Sequence, residues 1–144
     1  MKAAPSFPVE HLTVIAWPDE TIDLVGHDAR ARYVETYWLG ILGPSATWLL
    51  RRMADELEAS PSGFIMNMPE MAQSLGVGGI GKNSPFIRAL GRLVQFEMAQ
   101  LQAGNILAVR RRVPSLSRRH VLRLTDDLRQ KHDFWEKQQL TRAS

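Results

Sequence analysis

The sequence predicts a single α+β domain, mostly helical, and three observations carry that prediction. Apolar residues recur at helical spacing through most of residues 30–59, 84–96 and 117–140. Short β-branched or alternating runs lie between and before them, at 11–17, 64–68 and 95–113. A length of 144 residues with 44% hydrophobic content suits one domain with a real core and argues against a disordered chain. The organisation expected is an N-terminal extension over 1–29, the helices and core over 30–114, and C-terminal helices over 115–144.

In the extension, HLTVIAW is rich in β-branched and apolar residues, PDET is a turn and TIDLV alternates again, which predicts a short hairpin. The helical pattern starts near Arg30, where ARYVETYWLGIL spaces Val34, Tyr37, Trp38, Ile41 and Leu42 along one face. Gly43-Pro44 breaks it, and Pro44 suits the first position of a new helix, 44–59, with Ala46, Leu49, Leu50, Met53 and Leu57 inward. GFIMNM predicts a strand at 64–68, and Pro69 opens a two-turn helix, 69–75. Ser84-Pro85 reads as cap and first-turn proline of a helix over 84–96 that buries Phe86, Ala89, Leu90 and Leu93. QFEMAQL, the loop QAGN and ILAVRRRVP read as two strands, the second over 106–113, joined by a Gly-Asn turn. Ser117 starts a short helix, and Thr125-Asp126-Asp127 caps the last one, with acids in its first turn where the helix dipole favours them.

Between the helices at 69–75 and 84–96 stands GVGGIGKNSP, which matches two phosphate-binding patterns. Gly76, Gly78 and Gly81 spell the dinucleotide fingerprint; Gly76, Gly81 and Lys82 spell the first seven positions of a P-loop. Both need a buried strand before the first glycine, and PEMAQSL is a helix by pattern. The metal-binding hydroxyl must follow the lysine, where this chain has Asn83. The dinucleotide site wants an acid about 20 residues on, yet residues 98–108 read MAQLQAGNILA. The glycines are therefore assigned to a turn: Gly76 ends the first helix in a left-handed conformation, and no nucleotide is expected.

The order helix 44–59, strand 64–68, helix 69–75, helix 84–96, hairpin resembles the winged helix-turn-helix domain over roughly residues 44–114. MPEMAQSLGV…SPFIRALGRLVQF looks like its two helices, and about eight residues separate them where such turns have three or four. The resemblance implies double-stranded DNA binding and transcriptional regulation, with helix 84–96 reading the major groove and the 101–112 wing on the backbone. The alternative is the same fold as a protein-interaction module that does not bind DNA sequence-specifically.

Charge agrees with a polyanionic partner. The net charge is +3, but residues 1–58 hold five Lys/Arg against nine Asp/Glu, whereas 71–125 hold nine Lys/Arg against Glu97 alone. On helix 84–96, Arg88, Arg92 and Gln95 share one face, with Lys82, Asn83 and Ser84 at its N-terminus. Arginine reads guanine, Gln or Asn reads adenine, and Ser at a helix N-terminus meets phosphate. Arg110, Arg111 and Arg112 on the second wing strand and Arg118 and Arg119 on the following helix extend the basic region.

Other chemistry finds little in the residues. There is no cysteine, no serine sits in a G-x-S-x-G context, and His11, His27, His120 and His132 form no H-x-x-x-H pair. No enzyme, cofactor or metal site is expected. MKAAPSFPVEHLTV lacks a long apolar stretch and no run reaches the ~18 residues of a membrane span, so the expected location is the cytoplasm, on the nucleoid if DNA is bound. Tyr33, Tyr37, Trp38, Trp48 and Trp135 are assigned to core or interface. Val121, Leu124, Leu128 and Trp135 recur at intervals of three, four and seven, a stripe predicted to hold a homodimer or to fold back on its own domain.

Overall fold

The computed structural model describes residues 6–8, 10–79 and 81–143. The first five residues, which enter the reading of the amino terminus, and Ile80 of the glycine stretch lie outside them. The chain forms an α+β fold around a four-stranded mixed sheet. Its elements are β1 (His11–Ala16), α1 (Glu20–Val25), β2 (His27–Asp28), a π-helical turn (Val34–Trp38) running into α2 (Leu39–Leu42), α3 (Pro44–Ala59), β3 (Phe64–Asn67), α4 (Met68–Ser74), α5 (Pro85–Gln95), β4 (Ala99–Gln102), β5 (Ile106–Val109), β6 (Arg112–Val113), α6 (Arg118–Val121) and α7 (Asp126–Ala143).

The strand order is β3-β1-β5-β4, so the expected extension supplies a central strand. β1 pairs antiparallel with β3, Leu12 opposite Met66, and parallel with β5, Val14 opposite Leu107. Leu12 and Val14 are wholly buried, as the alternation of HLTVIA requires of a strand with one face on the core. The predicted hairpin does not form. TIDLV is α1, because the Asp19 carboxylate accepts from the amides of Thr21 and Ile22, both at 3.1 Å, and caps a helix where alternation alone suggested a strand. β1 finds its partners 50 to 56 and 93 residues downstream, outside the reach of a local pattern.

Gly26 closes α1, and its requirement is space. A Cβ there would stand 2.5 Å from the Ile22 carbonyl oxygen and 2.7 Å from that of Val113, both backbone atoms. Gly26→Ala is therefore expected to cost about 1–3 kcal/mol. That lowers the melting temperature by roughly 3–10 °C, and a melt by circular dichroism checks it. An unchanged melting temperature would mean that the β2–β6 ribbon shifts freely.

The helices follow their predicted stripes. α3 buries Ala46, Leu49, Leu50, Met53 and Leu57 and adds Thr47 and Ala54; α5 buries Phe86, Ala89, Leu90 and Leu93. These join Leu12, Val14, Leu107 and Val109 in one core. Gly76 has φ +70° and ends α4, its amide bonded to Gln73 and that of Val77 to Ala72, the left-handed stop that the glycine predicts. Ser84 caps α5, accepting from Ile87 at 3.3 Å. The α5 terminus departs from expectation: β4 begins at Ala99, because Glu97, at φ +59°, turns the chain with the Met98 amide on the Leu93 carbonyl.

Candidate nucleic-acid interface

α5 leaves one side free of the core, and the predicted residues are there. Lys82, Asn83, Arg88, Arg92 and Gln95 are exposed, and Ser84 is partly so. Ser84 spends a lone pair on its cap and keeps its hydroxyl hydrogen for another acceptor. The Arg88 guanidinium has no hydrogen bond or ion pair among the described residues. Arg92 is engaged, donating to the Ile41 carbonyl at 3.2 Å with its guanidinium 5.8 Å from the Phe96 ring centre.

The same Phe96 ring brings a second helix to this surface. His120 of α6 lies 5.7 Å from Phe96 and 5.5 Å from Trp38, ring centre to ring centre. Burial, then Arg123 and Arg119 beside it, hold the His120 pKa below the ordinary histidine range. Arg119 and Arg123 are exposed, as is Arg118, whose guanidinium stands 3.9 Å from Asp133. The C-terminal half of α5 and the basic turn of α6 thus meet around one aromatic contact, and neither carries an acid. On the acidic half of the chain, Arg30 gathers Asp28 at 3.0 Å, Asp55 at 2.9 Å and Glu58.

The arginines expected on the wing are placed differently. Arg110 is 7% exposed. Its Nε donates to the Glu97 carbonyl at 2.7 Å, it pairs with Asp19 at 3.2 Å, and it lies over the Trp17 ring at 3.9 Å. It is a structural side chain and leaves the set of candidate DNA contacts. Arg112 is half-buried and donates to the Gly26 carbonyl, and Arg111 lines a cleft of about 320 Å3 with Trp17, Asp23 and Asp28. The hairpin tip, Ala103-Gly104-Asn105, bears no charge. The reading of one continuous strand over 106–113 misplaced these three because β5 stops at Val109 and the chain re-pairs from Arg112 with β2. The residues of β1's own end, Trp17 and Asp19, then cover Arg110.

The glycine stretch keeps its structural assignment, since the residues before Gly76 form α4 and no strand leads into the loop.

The C-terminal stripe folds onto its own domain. Val121 and Leu124 are buried, and Leu128 and Trp135 pack against the core. Tyr33 stacks on His27 with ring centres 3.7 Å apart, and Trp135 sits 4.9 Å from Tyr33. The homodimer expected from this stripe would therefore need another surface. Two side chains here escaped the sequence. His132, wholly buried, meets the Tyr33 hydroxyl at 2.6 Å. His27 bonds Ser115 at 2.8 Å and is pushed down to about 4 by burial, then by Arg112 and His132. Helical spacing held the signal for His132, four residues after Leu128 and three before Trp135, but its polarity hid it. Trp48, assigned to the core or an interface, is 53% exposed with Arg51 5.2 Å over its ring.

Among the described residues no helix is long and apolar enough to cross a membrane. Comparison with known proteins finds no family model, no curated protein and no solved structure that matches the chain.

Proposed function

We propose that the chain is a winged helix-turn-helix protein that binds double-stranded DNA and regulates transcription, acting in the cytoplasm on the nucleoid. In this reading α4 and α5 are the helix pair, β4–β5 is the wing, and β1 is an added strand between β3 and β5. The observation that carries it is the acid-free exposed face of α5, Arg88, Arg92 and Gln95, continued by Arg119 of α6 and Arg123 just after it. Arginine on an α-helix narrow enough for the major groove is the commonest reader of guanine, and the flanking cations neutralise phosphates.

The test is the salt dependence of binding to a duplex of mixed sequence, followed by fluorescence anisotropy. Four or so phosphates neutralised by Lys82, Arg118, Arg119 and Arg123 give a log–log slope near −4. The dissociation constant should then rise about a hundredfold or more between ~50 and ~200 mM salt. A slope between 0 and about −1 would sink the proposal. A second reading, a winged-helix module that binds protein, is favoured by Trp48, which lines a groove of about 330 Å3 with Pro44, Leu75 and Val77. Binding to DNA that ignores salt would turn attention there.

A further inference from the structure

His132 of α7 is wholly buried, and its two ring nitrogens have different fates. Nε2 lies 2.6 Å from the Tyr33 hydroxyl, whose oxygen also accepts from the Leu116 amide at 2.9 Å. Nδ1 is buried with no hydrogen-bond partner. One helical turn on, a Glu136 carboxylate oxygen stands 3.5 Å from it, and Asp133 lies beside both. The three ligand-type atoms are all within 4.8 Å of one another.

We propose that His132, Asp133 and Glu136 bind a divalent transition-metal cation of the zinc class. A separation of 3.5 Å is long for a hydrogen bond but matches two ligands of one tetrahedral ion. Zinc holds nitrogen and oxygen at ~2.0–2.2 Å, which sets neighbouring ligands ~3.4 Å apart. Tyr33 supplies the outer contact that metal-binding histidines commonly have: with a metal on Nδ1 the ring proton sits on Nε2, which then donates to the Tyr33 oxygen and so orients the ring. Two carboxylates balance a dication, and the imidazole selects zinc over magnesium or calcium. The Asp133 and Glu136 side chains are 44% and 47% exposed, which leaves the ion an entry path and room for water as a fourth ligand. Arg118, 3.9 Å from Asp133 and 72% exposed, is the cation that an incoming metal displaces. The spacing that excluded a metal in the sequence sought paired histidines; here one histidine recruits two acids of its own helix.

Calorimetry of the chelator-treated full chain with zinc chloride, with cobalt(II) absorbance as a second readout, tests this. The expected result is one ion per chain and a melting temperature raised by zinc. Glu136→Gln and Asp133→Asn should each weaken uptake roughly 10–100-fold while the metal-free proteins melt like the parent. Arg118→Ala should bind zinc more tightly, a gain that general destabilisation does not produce. Absence of saturable uptake overturns the proposal. So does uptake that is indifferent to Glu136→Gln and Asp133→Asn, since the zinc would then sit on the other histidines.

Discussion

Replacing Arg88 and Arg92 together with alanine is expected to weaken DNA binding by at least tenfold and to abolish sequence preference. Both side chains are exposed on α5, and a bidentate contact from arginine to a base is worth ~1–3 kcal/mol. The two are not equivalent. Arg88 is uncommitted among the described residues, whereas Arg92 must give up the Ile41 carbonyl and the face of Phe96 before it reaches a base. The larger share of the loss should therefore follow Arg88→Ala. The fold should survive, because exposed substitutions usually stay within about 0.5 kcal/mol, with Arg92→Ala at the upper end for its lost carbonyl bond. Anisotropy on a selected set of duplexes measures the affinity, and thermal melts of the same variants show that the domain is intact. Affinity within twofold of the parent would remove α5 from the interface, whatever the salt dependence of the rest.

Arg110→Ala is expected to destabilise the protein by ~2.5–5 kcal/mol and to leave DNA contacts intact in whatever remains folded. Arg110 joins four pieces of chain: its own strand end, the Glu97 carbonyl at the turn after α5, the Trp17 ring after β1, and Asp19 at the cap of α1. A hydrogen bond from a charged donor contributes ~1.5–3 kcal/mol and a desolvated cation–π contact about 1–2 kcal/mol; the ion pair with partly exposed Asp19 is left out of that figure. Asp19 carries its own sign. Its pKa is lowered, first by the Ile22 amide and then by Arg110, so it stabilises the fold above the ordinary carboxylate pKa and loses that contribution as pH falls through the depressed value. Thermal melts at neutral pH should rank Arg110→Ala well below Arg111→Ala, which is expected within about 0.5 kcal/mol of the parent. Arg110→Lys should fall between them, since an ammonium keeps the charge but neither forks nor stacks. Equal melting of Arg110→Ala and Arg111→Ala would return Arg110 to the surface set.

What was legible in the residues was local. The stripes of α3 and α5, the caps at Ser84 and Ser117, the break at Gly43-Pro44 and the left-handed stop at Gly76 all depend on neighbours within a few positions, and side-chain spacing reports them directly. For the same reason the exposure of Arg88, Arg92 and Gln95 could be read in advance: whatever the 3.6-residue period does not bury on α5 faces outward.

The decisions that needed the tertiary structure are those in which distant segments compete for one place. β1 could not be read as a central strand, because its hydrogen-bond partners lie in β3 and β5 and nothing in HLTVIA names them. α1 replaced a strand because one carboxylate at Asp19 satisfied two helix-end amides, a local effect that alternation outweighed in the reading. Arg110 and His132 show the limit most clearly. A charged and a polar side chain read as surface in any sequence, since each is costly to bury alone. Each is buried here because partners more than 80 residues away in the chain, Asp19 at 3.2 Å and the Tyr33 hydroxyl at 2.6 Å, meet its polar atoms. Sequence determines which groups would be costly inside; only the fold decides which of them find a partner there, because that depends on distances the chain sets through space and not along its length.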